Sequence, residues 1–182
     1  PFVDLDEETS SILGLEGYDM NSVADMVHDQ GGLFCINHPL SAKVGWKYYE
    51  FPWEKADLIE VIGLPDGPNS FLYPVLWDRL LCEGHHITGI GSSDSHDPLS
   101  DGPWKLGMVR NWVWAENLSE QAVLAGLKKG NVYISYGETR LNFTAGIPSE
   151  KDNSLVTGMG ETLSFDKEEI LEFTVSLMNQ PE

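Results

Sequence analysis

The chain has 182 residues, enough for one sizeable core or for one domain and the start of another. Hydrophobic residues make up 41% of it, and six Trp, seven Phe and six Tyr are present, which excludes an intrinsically disordered chain. The 29 acidic against 11 basic residues give a formal charge of -18, which argues against nucleic acid held through its phosphates. The same field attracts divalent cations, although acidic surfaces also serve solubility alone.

Residues 1–17 are acidic and irregular, with Asp4, Asp6, Glu7 and Glu8 close together, and read as a loop or the tail of an element that begins upstream. Asp19 or Asn21 can cap a helix carrying Val23, Ala24, Met26 and Val27, which Gly31-Gly32 ends. A short apolar strand follows, Leu33 to Asn37, and His38-Pro39 stands where it stops. Residues 41–53 hold Trp46, Tyr48, Tyr49, Phe51 and Trp53, too aromatic for a solvated linker, so a covering loop with a short helix is expected. Ala56 to Ile62 is a second strand with Glu60 inside an apolar run. A carboxylate there either turns to solvent or needs a partner, because burying it alone is costly.

Pro65 to Ser70 is a turn cluster, and Asn69-Ser70 opens a helix through Leu72, Val75, Leu76, Leu80 and Leu81, stopped by Gly84. His86 to Ile90 is a third strand. It leads into Gly91-Ser92-Ser93-Asp94-Ser95-His96-Asp97. In extended backbone, residues i and i+2 project to one side, so Asp94 and His96 aim at one point. A carboxylate oxygen and an imidazole nitrogen meeting there suit zinc or a transition metal. The same stretch is equally good turn chemistry. Pro98 to Pro103 is a loop, Leu106 to Ala115 a strand, and Asn117 with Glu120 a capping-box-like start for a helix to Lys129. Val132 to Tyr136, Leu141 to Ala145 and Glu172 to Leu177 read as strands, the last two with a polar loop and no helix between them.

The order up to Gly137 is α/β, and the remainder is β-rich. The expected domains are therefore residues 1–137, an α/β part, and residues 138–182, the start of a β-rich module. In parallel α/β architectures, catalytic groups gather beyond the carboxyl ends of the strands. His38 and the pair Asp94/His96 stand at that end of separate strands, whereas His28, His85 and His86 do not and read as surface or structural. A metal held there supplies an activated water at neutral pH. Ser92, Ser93 and Ser95 offer a nucleophile near His96, but no G-x-S-x-G elbow is present.

The ordered set Gly31-Gly32-Leu33 with His38-Pro39, Asp57-Leu58-Ile59-Glu60-Val61, Trp77-Asp78-Arg79-Leu80-Leu81 with Gly84, Gly91-Ser92-Ser93-Asp94-Ser95-His96, and Gly130-Asn131-Val132-Tyr133-Ile134-Ser135 resembles the C-terminal half of a PHP domain (polymerase and histidinol phosphatase). It is most similar to the CehA/McbA-type metallohydrolase branch, which includes carbaryl hydrolase-like proteins, and the resemblance covers about Gly31 to Phe143. It implies a distorted β/α barrel, here in part, with two or three divalent metal ions (zinc, manganese or iron) and often an appended β-sandwich. It also implies His38, Asp94 and His96 as metal ligands, Asp94 and His96 as catalytic, and Glu60 in a supporting role. Asn37, Lys43, Lys105 and Arg110 stand near these motifs as further supporting or substrate-facing residues.

The family's opening His-x-His motif is missing from the 182 residues. The resemblance therefore implies that the N-terminal half of the barrel lies upstream or comes from a second chain, and that open sheet edges self-associate. The function expected is a metal-dependent hydrolase in which a metal-bound hydroxide attacks a phosphoester or a carbamate- or ester-like bond of a small molecule, incomplete in this fragment. The alternative is a non-catalytic PHP-like binding or docking module. Few basic residues flank the motifs, which favours less charged substrates than phosphates. Cys35 and Cys82 sit in apolar or amphipathic runs, form no disulfide framework, and lean towards a reducing, cytoplasmic compartment. No apolar stretch is long enough to span a bilayer.

Overall fold

The computed structural model describes residues 19–63, 69–97, 99, 101–102, 105–148 and 155–178. The acidic stretch at 1–17, most of the turn cluster at 65–70 and parts of the loops at 98–103 and 149–154 lie outside the described residues. Helices and strands alternate, so the chain is α/β, and its strands form three small sheets. No closed barrel is present among the described residues. The chain divides into two compact units, at Val109 and Arg110, and the change of character expected near Gly137 falls inside the second.

In the first unit, α1 (Met20–Asp29) starts at Asp19, whose side chain accepts the Ser22 N–H at 2.8 Å. That bond stabilises the charged form and holds the Asp19 carboxyl below its ordinary value. Val23 and Ala24 are buried on its inner face. His28, in the last turn, places Nε2 2.7 Å from Asp57 Oδ2, and the same oxygen accepts the Phe34 N–H at 2.8 Å. One carboxylate thus fastens the end of α1 to the entry of the sheet, and His28 is structural.

Three strands make a parallel sheet in the order β1 (Cys35–Ile36), β2 (Leu58–Ile62), β3 (Thr88–Gly91). Parallel strands with both faces covered read as continuous apolar runs, which is why these segments are legible in the sequence. Phe34, Ile36 and Ile59 are fully buried. The aromatic segment between β1 and β2 folds back on this core: the Phe51 ring stacks on Phe34 at 5.2 Å and Trp46 meets Phe34 edge-on at 6.1 Å. Its short helix is a 3-10 turn at Trp53–Lys55.

Between β2 and β3 comes a 3-10 turn at Ser70–Leu72 and then α2 (Tyr73–Cys82), with Tyr73 and Leu80 buried. Asn69 does not cap this helix; its side-chain amide instead donates to the Leu40 carbonyl at 3.1 Å. Trp77 ties α2 to β3 by donating Nε1–H to the Ile87 carbonyl at 2.7 Å.

The second unit takes in β4 (Val109–Val113) from its second residue on, α3 (Glu120–Lys128), β5 (Val132–Tyr136), β6 (Arg140–Ile147), β7 (Leu155–Thr157) and β8 (Glu172–Met178). The helix cap falls two residues later than the Asn117–Glu120 spacing suggests. Ser119 Oγ accepts the Ala122 N–H, while Asn117 Oδ1 accepts the Ser119 N–H and shapes the turn before it. Gly126, inside α3, lets the helix backbone lie against Val113 and the Trp114 carbonyl, where a Cβ would come within 2.7 Å of both.

β4 and β5 pair as a two-stranded sheet. On it Trp112 stacks beside Tyr133, with Arg140 5.1 Å from the Trp112 ring centre. β6 is the centre of an antiparallel sheet in the order β7-β6-β8. The short strand β7 has no sequence signature, because three residues are too few for an alternation to register. Among the described residues no helix is long and apolar enough to cross a membrane.

Candidate functional site

The sheet topology brings the sequence-derived candidates together. β1 and β3 flank β2, so the residues after β1 and those after β3 emerge at the same end of a parallel sheet. His38 Nε2 lies 3.6 Å from Asp94 Oδ1, and His96 Nε2 lies 3.2 Å from the same oxygen. One carboxylate oxygen is therefore shared by two imidazoles. The His38 side chain is 14% exposed, Asp94 30% and His96 83%, so the trio runs from the protein interior to solvent.

The convergence does not arise from strand alternation as expected. β3 ends at Gly91, and Asp94 adopts φ +48, in the left-handed region. The backbone is turned: Asp94 N–H donates to Ser92 Oγ at 3.0 Å, Ser95 Oγ–H donates to the Asp97 carbonyl at 3.0 Å, and Leu99 N–H donates to Asp97 Oδ1 at 2.9 Å. Turn chemistry and convergence are the same feature, because the turn is what swings Asp94 towards His38. The hydroxyls of Ser92 and Ser95 serve the turn. His38 also has a left-handed backbone, with φ +49. Asp and His tolerate this region better than most residues, yet each such position stores strain of about 1 kcal/mol or more. The two non-glycine residues with positive φ among the described residues are the two that meet.

Glu60 stands behind His38. It is 1% exposed, and its Oε2 accepts the His38 backbone N–H at 2.7 Å while lying 3.1 Å from His38 Nδ1. The register explains how a strand residue reaches there. Glu60 pairs with Ile90 but Ile62 pairs with Gly91, so Val61 is the extra residue of a bulge, and bulges re-aim side chains. Of the two readings of Glu60, a buried carboxylate with a partner is the one observed.

Cys35 also borders this region. Burial, reinforced by the Glu60 carboxylate, pushes its thiol from 9.0 up to about 12. The thiol stays protonated at neutral pH and donates to Asn37 Oδ1 at 3.1 Å, so Asn37 turns back towards Cys35 and the sulfur is no thiolate donor. Because the folded value is raised, the contribution of Cys35 to stability is full below pH 9.0, where both states carry the proton. It is lost as pH rises through about 12. Cys82 is exposed. Iodoacetamide at pH 8 is expected to alkylate Cys82 and spare Cys35, as read by peptide mass spectrometry; equal labelling of the two would contradict the burial argument.

Of the cationic candidates, two lie on the first unit and one on the second. Lys43 and Lys105 are exposed. Arg110 belongs to the second unit, where Nη1 lies 3.3 Å from Glu138 Oε1.

Donor atoms bound to one tetrahedral ion at about 2.0–2.1 Å stand about 3.3–3.4 Å apart. The 3.2 and 3.6 Å separations around Asp94 Oδ1 bracket that edge length, and the donor set of two imidazoles and a carboxylate is one that zinc accepts. Among the described residues, however, no group of three or more His, Cys, Asp and Glu side chains is arranged so that it could hold a metal ion as it stands. Comparison with family profiles, with curated proteins and with solved structures found no match.

Proposed function

We propose that this chain carries part of a PHP-like β/α barrel and that His38, Asp94 and His96 hold a divalent metal ion in a hydrolase of that type, acting on a small molecule. The observation that carries the reading is the sharing of Asp94 Oδ1 by His38 Nε2 and His96 Nε2 at the carboxyl ends of two parallel strands. When bound, a divalent ion there lowers the pKa of a water and polarises the bond under attack.

The chain's own residues supply the rest. The Glu60 carboxylate, 3.1 Å from His38 Nδ1 but not aligned for a hydrogen bond to it, places negative charge beside that nitrogen and so favours the proton there and the lone pair on Nε2. Asp94 adds charge and a second donor type. His96, mostly exposed, stands on the solvent side, where an incoming substrate meets the site. With Lys43 and Lys105 at the surface, a carbamate- or ester-like carbonyl fits the surroundings better than a highly charged phosphate.

Hydrolysis of p-nitrophenyl phosphate and of an aryl carbamate by the chain supplied with zinc or manganese tests the reading. Metal-dependent turnover that His96→Ala reduces at least about 100-fold is expected, with the carbamate preferred. Turnover that ignores both the metal and His96 would refute it. Binding of metal without any turnover would favour the docking-module reading, in which the same trio is retained without chemistry.

A further inference from the structure

We infer that Gly63 is a positioning residue for the site, required because the Glu60 carboxylate occupies the space in which its side chain would lie. This inference rests on the proposed metal site for its metal readout and on geometry alone for the rest. A Cβ built on Gly63 would overlap Glu60 Oε1 and stand 3.3 Å from Glu60 Cδ.

The end of a carboxylate side chain usually swings away from such a clash, but this one is held on its other oxygen. Oε2 accepts the His38 N–H at 2.7 Å and lies 3.1 Å from His38 Nδ1, and the group is 1% exposed, with no solvent to swing into. Gly63, just past the strand and two residues beyond the bulge at Val61, lies against the carboxylate of Glu60. A methyl group at 63 therefore pushes Oε1, the carboxylate rotates or retreats, and His38 loses its acceptor. His38 sits at φ +49, a conformation that persists only where its surroundings enforce it. The displacement thus passes to the imidazole and to its meeting with Asp94 Oδ1. Gly63 acts through Glu60 and His38 and touches neither metal nor substrate.

The test compares Gly63→Ala, Glu60→Ala and the double variant with the unaltered chain. Two readouts are used, hydrogen exchange of the His38 amide without added metal and zinc affinity by calorimetry. Gly63→Ala is expected to speed exchange of the His38 amide about tenfold or more, and to weaken zinc binding about 10–100-fold, the range found when a partner behind a ligand is lost. On the Glu60→Ala background the alanine at 63 is expected to change neither quantity, because the clash has been removed. Unchanged His38 exchange in Gly63→Ala, or an equal effect with and without the Glu60 side chain, would overturn the inference. If Gly63→Ala does not fold, the thermal midpoint decides: recovery in the double variant to the level of Glu60→Ala supports the inference, and no recovery overturns it. If the unaltered chain takes up no zinc, the proposed metal site fails, while the amide exchange still decides the role of Gly63.

Discussion

Replacing Glu60 with alanine is expected to lower the free energy of unfolding by about 3 kcal/mol, the scale expected when a buried donor loses a charged acceptor and a cavity is left behind. The loss has three sources. The His38 N–H, which makes its short bond to Oε2, is left without that acceptor. A cavity replaces a side chain that is 1% exposed. The left-handed backbone of His38 loses the contact that helps to hold it. Against these stands the relief of no longer burying a carboxylate, which is why the value is about 3 kcal/mol and not larger. Glu60→Gln keeps an oxygen of the same reach for the His38 N–H and is expected to lose only about 1 kcal/mol. Urea denaturation of the three proteins measures both numbers, and a Glu60→Ala loss below about 1 kcal/mol would mean that the carboxylate does not hold His38.

Asp94→Gly is expected to move stability and binding in opposite directions. At φ +48 a glycine carries no Cβ penalty, so the variant should gain about 1 kcal/mol, the bond from its N–H to Ser92 Oγ being unaffected. The same change removes the oxygen that His38 and His96 share, and zinc affinity should fall about 100-fold or more, beyond the roughly 10–100-fold expected for an indirect partner. Strain retained at a site because function needs it behaves in this way. Thermal unfolding and calorimetry on one preparation read both effects. A variant that is less stable and binds zinc unchanged would remove Asp94 from the site.

The α/β character and the three parallel strands are legible in the sequence because a strand buried on both faces is an unbroken apolar run, as Leu58 to Ile62 is apart from Glu60. His38, Asp94 and His96 are legible as a group because parallel topology forces the ends of β1 and β3 to one side of the sheet. How they meet is not. Strand alternation would have aimed Asp94 and His96, but β3 stops at Gly91, and a left-handed turn does the aiming. The two serines before Asp94 and the one after it carry a signal for that turn, and the tolerance of Asp and His for positive φ is a second one.

Long-range pairing hides the rest. Nothing near His28 announces Asp57, which lies 29 positions away in the chain and arrives beside it only through the sheet. The bulge at Val61, which turns Glu60 under His38, arises from the register of β2 on β3 and leaves no mark in the local pattern. At α3 two side chains compete for the cap, and Ser119 takes it because its hydroxyl reaches the Ala122 N–H while Asn117 is occupied by the N–H of Ser119 itself.

X-ray absorption at the zinc edge on the zinc-loaded chain tests the central claim most directly. A single site is expected, with a mixed nitrogen and oxygen shell at about 2.0–2.1 Å and the outer scattering of two imidazoles, falling to one imidazole in His96→Ala. A shell of oxygens alone, or two imidazoles that persist without His96, would contradict it.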